Sequence, residues 1–416
     1  MRVNVKIDYL SAALGSHNSF LAGQFSAIDI QLSFVLDAGA ARGPLAAYPY
    51  LVRLRERPAD GARSSAADPT RSAAEHCRGA YLMTYVKNRQ IVLAEIPKGK
   101  LAPANFHLVE AALPAPADGE VLVQVRLISL DAANRAWMQG ATYRDAVTAG
   151  QVMAGYALAT VVESKAPGLH PGDLVFADTG WQEYANLPAQ KLGKVPKLEP
   201  MTHLISIYGV AGLTAYFGLL RIGEPRPGET VVVSAAAGSV GSFVGQIARI
   251  KGCRAVGIAG GKAKCDWLVE HLGFDAAVDY KANAPLKALK QAAPKGIDVY
   301  FDNVGGSTLE TCLSQMNNGG RIVCCGAIAT YDGTPPPAGP RGVPGLIVVK
   351  RLSMKGFIVT DFYAERDNAI RELRSWFAAG LLKVEEDVID GLENAPRALI
   401  GLLAGANRGK RMVRVS

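Results

Sequence analysis

The sequence predicts an α/β protein: a doubly wound parallel sheet, a second β-rich domain, and a short α-helical extension at the N-terminus. Three observations carry this. Val231-Val232-Val233 is a wholly apolar, β-branched run, suited to a strand buried on both faces. Similar runs alternate with helical stretches over the C-terminal half, the order that builds a parallel sheet. Ahead of them, short strands are broken by turns such as Pro171-Gly172-Asp173. The 416 residues leave room for two or three domains.

Bulk composition narrows the class. Apolar residues make up 49% and charged residues 20%, as in a globular protein with a sizeable core. The net charge is +8, but Lys and Arg are spread along the chain and form no block. We read a solvated basic surface and expect no nucleic-acid partner. Leu346-Ile347-Val348-Val349 is too short to span a bilayer, and the N-terminus lacks a signal-peptide pattern. No membrane partner is expected. The six cysteines form no C-x-x-C pair, and the six histidines are scattered. That pattern predicts a reducing, cytoplasmic setting and no bound metal.

In chain order, Ser26 can cap a helix whose apolar face is Ile28, Leu32, Val35 and Leu36, with Asp29 completing a capping box. Gly43-Pro44 stops it, and a second helix ends near Arg57-Pro58. Residues 59–82 read as a polar, Ala-rich linker. The β-rich domain follows over 83–204. It opens with a strand from Asn88 to Ala94. After the turn-rich Leu113–Glu120, Val121–Ile128 alternates as a half-buried strand does.

The organising unit runs from Val231 to Lys264. After the strand comes Ala235-Ala236-Ala237-Gly238-Ser239-Val240-Gly241, then a helix whose Val240, Phe243, Val244, Ile247 and Ala248 share one face, then a strand over Arg254–Ile258. A helix N-terminus offers free N–H groups and partial positive charge to a pyrophosphate. Ala236, Gly238 and Gly241 hold the three small places of a dinucleotide fingerprint, with Ser239 and Val240 between them. An NAD site carries an acid about 20 residues further on. Here Gly260-Gly261-Lys262-Ala263-Lys264 supplies ammonium groups instead, which favours NADP(H), with Lys264 as the contact and Lys262 as a solvated neighbour. Further buried strands are expected at Val299–Phe301, Arg321–Cys325 and Phe357–Val359. Helices are expected at Lys264–Leu272, Leu309–Met316 and Leu373–Phe377, and Lys410–Val415 closes the chain as a strand.

Two resemblances follow. Phe25-Ser26-Ala27-Ile28-Asp29 and Tyr48–Leu54 make residues 10–58 similar to the C-terminal helices of glutathione transferases, without that family's glutathione-binding half. Residues 84–416 resemble the zinc-independent medium-chain dehydrogenases/reductases, in the group of prostaglandin, alkenal and curcumin reductases. The matching runs include Asn88-Arg89-Gln90, Leu130-Asp131 with Arg135, Gly212–Leu219, Ala235–Gly245, Phe301–Gly306, Cys325–Ile328 and Gly391–Pro396.

This resemblance implies a GroES-like domain over 83–204, a Rossmann domain over 205–345, and a stretch over 346–416 that forms the Rossmann edge and returns to the GroES-like domain, assembled as a homodimer. It implies NADPH-dependent reduction of the C=C bond of a small-molecule enone or alkenal. Quinone reduction, or NADPH binding without catalysis, is the alternative.

Tyr331 matches the family tyrosine that positions the nicotinamide ribose and assists catalysis. Tyr280 and Asn407 match coenzyme contacts, against readings as a strand-end aromatic and a turn residue. Asn303 and Thr214 either reach the coenzyme or serve a turn and the domain joint. Arg135, Trp137, Tyr156 and Trp181 are candidates for the substrate wall. Where some relatives have a substrate-side tyrosine, this chain has Ala133. The proline-rich run from Pro335 to Pro344 is either a lid or a stiff connector.

Overall fold

A computed structural model describes residues 86–332 and 339–416. They belong to the second of two units, residues 83–416. The helices and transferase likeness expected before residue 59, and the linker after them, lie outside the described residues. So does the Pro335-Pro336-Pro337 part of the proline-rich run.

The first strands form the β-rich domain. β1 (Val86–Leu93) and β2 (Phe106–Leu113) make an antiparallel pair. β3 (Glu120–Ser129), β4 (Tyr156–Ser164), β5 (Leu174–Asp178) and β7 (Gly193–Lys194) run in order across an antiparallel sheet, with β6 (Tyr184–Pro188) paired to β3. The alternation of β3 predicts one solvated face. Instead Val121, Leu122, Val123, Val125, Leu127 and Ile128 are all buried. β3 lies inside the sheet, and its residues enter three separate apolar clusters.

The second sheet is parallel. β8 (Thr230–Ser234), β9 (Arg254–Ala259), β10 (Ala276–Asp279), β11 (Ile297–Asp302), β12 (Met316–Cys324) and β13 (Ser353–Gly356) stand in the order β10-β9-β8-β11-β12-β13. The Val231–Val233 run explains why. Val231 and Val233 pack with Phe243, Val244 and Ile247 on one side, while Val232 packs with Val256, Ile258 and Tyr300 on the other. All three valines have 0% exposure. Burying each such side chain stabilises the sheet by roughly 1.5–3 kcal/mol. The winding direction reverses between β8 and β11, which opens a crevice at their carboxyl ends.

Phe357–Val359 does not continue the sheet. β13 stops at Gly356, opposite Cys324, the last residue of β12. Beyond that point the Cys325 and Gly326 amides turn to the Asp302 carbonyl, so no partner strand remains. Phe357 packs edge-on against Phe301, and Val359 starts a 3-10 segment ending at Glu365.

β14 (Glu386–Asp390) and β15 (Lys410–Arg414) then join the first sheet, β15 lying antiparallel to β3. Lys410 is 1% exposed and donates to Leu130 O at 2.9 Å and Asp131 Oδ1 at 2.5 Å. Just before β15, the Gly409 amide donates to Ala237 O at 2.9 Å. The end of the chain therefore straps the β-rich sheet to the fingerprint turn.

Candidate active site at the domain joint

The fingerprint turn is tight because its residues are small. Ala235 takes a left-handed φ of 50°, and the helix Ser239–Ile250 starts after Gly238. A Cβ on Gly241 would lie 2.4 Å from Ala235 O and 2.8 Å from Ala236 Cα, so only glycine lets the helix close on the strand. Ser239 Oγ is buried with no hydrogen-bond partner, an expensive state for a hydroxyl. It sits at a helix N-terminus, where a pyrophosphate oxygen would accept from it and from the free amides. The residues present thus fit a dinucleotide. Val240 packs on the core beneath.

At the end of β9 the charge is positive. Gly261 and Lys281 donate their amides to Asp279 Oδ1 at 2.8 and 2.9 Å, and these bonds hold the carboxyl below its usual range. That acid is spent on the backbone. Lys264 is half-buried, and its Nζ donates to Gly405 O at 2.7 Å and Asn407 O at 2.6 Å. An ammonium has three hydrogens, so one remains for a ligand. Burial first, then the charges of Arg408 and Lys281, pull the Lys264 pKa down. Crowded cations of this kind await an anion. Sequence reading missed Arg408 and Lys281, since only the fold brings them to Lys264. Lys262 points to solvent, with 86% of its side chain exposed, and pairs with Asp266 at 2.6 Å. Tyr280, 50% exposed, lines a small cavity with Ile258, Val278, Leu289, Thr308 and Thr311.

Asn303 and Asn407 sit nearby, each 7% exposed. Asn303 Nδ2 donates to Ser234 O at 2.7 Å and ties β11 to β8. Asn407 Nδ2 donates to Gly409 O at 2.9 Å and shapes its own loop. In both, the side-chain amide donates to a backbone carbonyl. Thr214 is 9% exposed in the helix Val210–Phe217, which packs against the fingerprint helix.

Tyr331 ends a short helix, Ile328–Tyr331, above the carboxyl end of β11. Its hydroxyl accepts from the Ala327 amide at 3.2 Å. Tyr156 is half-buried, stacked on Phe176 at 5.6 Å and edge-on to Trp137 at 6.3 Å. Three substrate assignments need correction. Trp181 has 0% exposure and stacks on Phe106 inside the β-rich core. It offers no surface to a cleft. Arg135 is 3% exposed, with Nε 3.1 Å from Asp332 Oδ1 and an Nη donating to Gly99 O at 2.9 Å. Its charge serves the fold rather than an open wall. Trp137, 3% exposed, also lies within that core.

Tyr143 takes a place that sequence reading did not give it. It is 57% exposed, edge-on to Trp137, and within electrostatic range of both Tyr156 and Tyr331. Desolvation, opposed by the Trp137 side chain and helped by the nearby Asp131, pushes its hydroxyl up from the ordinary tyrosine value of 10.0 to about 12. Among the described residues no group of three or more His, Cys, Asp or Glu could hold a metal ion.

Residues 89–195 match the family described as "N-terminal domain of oxidoreductase", and residues 239–377 match "Zinc-binding dehydrogenase". The NADPH-dependent curcumin reductase of Escherichia coli is 41% identical over 338 residues, 79% of this chain and 97% of that protein. The chain belongs to the medium-chain dehydrogenase/reductase family. Within that family it falls in the zinc-independent group of the curcumin and prostaglandin reductases. Bos taurus prostaglandin reductase 1 is 43% identical over 317 residues, 75% of this chain and 94% of that protein. The crystal structure of CurA in complex with NADPH from Vibrio vulnificus is 39% identical, with a TM-score of 0.76, and covers 79% of this chain and 99% of its own. The reductase is therefore an NADP-dependent oxidoreductase, and its coenzyme is NADP(H). Ser239, Lys264 and the small residues of the turn are the groups that fit it.

Proposed function

We propose that this reductase saturates the C=C bond of α,β-unsaturated ketones and aldehydes at the expense of NADPH. The observation that carries the reading is the juxtaposition just described. Tyr143 lies within electrostatic range of Tyr156 and Tyr331, and Tyr331 stands above the carboxyl end of β11, the neighbour of the strand that feeds the dinucleotide turn. When bound, NADPH supplies the hydride that the β-carbon of the enone accepts.

The protein's own share is placement and protons. The fingerprint turn and Lys264 hold the adenosine end. Tyr331 orients the nicotinamide ribose, with Asn303, Asn407 and Thr214 as further contacts. Neutral phenols can donate hydrogen bonds to the enone oxygen as negative charge gathers there. Tyr143, protonated at neutral pH, is our candidate donor on the open side, and Tyr156 lies behind it. The names of the relatives, curcumin reductase and prostaglandin reductase, support this substrate class.

NADPH oxidation should be followed with a panel of enones, enals and quinones, and the products identified. A saturated ketone is the expected product. A hydroquinone, or no turnover across the panel, would overturn the reading.

We also propose a homodimer built on the open edge of the parallel sheet. β13 is exposed along its length, and beside it Val348 and Val349 of the helix Val343–Lys350 are 74% and 69% exposed. An uncovered edge strand with apolar neighbours invites a second copy.

A further inference from the structure

We propose that Asp332 is a positioning residue, the centre of a clamp through which the β-rich domain fixes Tyr331. The proposal deepens the reading of Tyr331 given above and rests on it.

The short helix Ile328–Tyr331 is held from two sides. From the parallel sheet, Asn303 O and Val304 O accept from the Ile328 and Ala329 amides, at 3.3 and 3.0 Å. Those bonds fix the start of the helix, and the Ala327 amide reaches the Tyr331 hydroxyl at 3.2 Å, but the carbonyls of the helix end are bonded from elsewhere. The end is held by the other domain. Asp332 Oδ1 accepts from the Leu101 amide at 2.7 Å and from Arg135 Nε at 3.1 Å. Gln139 Nε2 donates to Tyr331 O at 2.8 Å and to Thr330 O at 3.3 Å. Arg135 is 3% exposed and also donates to Gly99 O at 2.9 Å, so its guanidinium is held through two of its three nitrogens. Leu101, 5% exposed, is equally fixed in the β-rich core. In Asp332, the residue after Tyr331, one carboxylate oxygen thus accepts from donors on two buried residues of the other domain. If the domains part at this joint, these bonds break and the tyrosine loses its fixed place.

The clamp touches only the nicotinamide half of the site. The cation pocket at Lys264 belongs to a different loop. Binding of 2′,5′-ADP, which carries the adenosine end alone, therefore serves as an internal reference against NADPH. Calorimetric affinities for both should be measured on the full chain and on Asp332→Ala, Asp332→Asn, Gln139→Ala and Tyr331→Phe, with melting curves.

Asp332→Ala should lose about tenfold in NADPH affinity and more in kcat, while 2′,5′-ADP affinity stays within about twofold. Asp332→Asn keeps an oxygen for the Leu101 amide and should recover part of the loss. Gln139→Ala, at an exposed position, should show a smaller effect of the same sign even where Asp332→Ala folds poorly. Equal losses for both ligands would reveal a merely structural role and overturn the clamp. Unchanged NADPH affinity and kcat in Asp332→Ala, with Tyr331→Phe impaired, would overturn the clamp and spare the tyrosine. An unimpaired Tyr331→Phe would overturn both.

Discussion

Lys264 shows how a few donors choose a coenzyme. Two of its hydrogens go to the carbonyls of Gly405 and Asn407, and Arg408 and Lys281 crowd it electrostatically. A charge-assisted hydrogen bond contributes roughly 1.5–3 kcal/mol, and 1.4 kcal/mol is a factor of ten in affinity. Lys264→Ala should therefore weaken NADPH binding by about tenfold or more and leave NADH nearly unchanged. Arg408→Ala should act in the same direction, less strongly. Coenzyme fluorescence titrations would check both. The sign of the pH effect follows from the lowered pKa. The ammonium starts to lose its proton below the ordinary lysine value of 10.5. NADPH affinity should then fall as pH rises toward that value, faster than NADH affinity does. Lys264 could be chosen from sequence because the fingerprint fixes where its strand ends. Arg408 could not, since 144 residues separate it from Lys264 and only the returning strap brings it across. Tyr143→Phe, which removes only a hydroxyl, should cut kcat with an enone at least tenfold while NADPH affinity holds, as steady-state and binding data would reveal.

Among the elements, the strand-turn-helix unit was the most legible, because buried β-branched runs and small-residue turns have few other uses. The limits lay where partners decide. Phe357–Val359 reads as a strand by composition, yet pairing ends when β12 ends, and the apolar side chains pack as loop residues. Trp181 and Arg135 were misread for a related reason. An aromatic ring or a guanidinium has the chemistry of a cleft wall, but 0% and 3% exposure give each no access to one. At this scale the sharpest test is Gly241→Ala. Its methyl would meet Ala235 O at 2.4 Å, so helix and strand must separate. Overpacking of this kind costs about 1–3 kcal/mol. We expect a lower Tm together with weakened binding of NADPH and NADH alike, which separates it from the cation-pocket variants. Thermal melts with and without each coenzyme would check this.

Over the whole molecule, the β-rich sheet and the parallel sheet are joined by side chains that cross between them, and β13 leaves one edge of the parallel sheet exposed. Charging that edge with Val348→Glu and Val349→Glu should convert a dimer to a monomer in light scattering while the monomer still binds NADPH. The fold class was readable because alternating strands and helices allow few arrangements. The joint was not, because it depends on contacts such as Arg135 with Asp332, made between distant stretches of chain. The returning strap carries one more implication, for synthesis in the cell. β15 lies between β3 and β14, and Gly409 closes on the fingerprint turn. A ribosome must therefore release nearly the whole polypeptide before the nucleotide cradle can be completed. Nascent chains stalled short of Gly409 should fail to bind coenzyme, and removing even the last strand from a finished molecule should cost more than its few residues suggest.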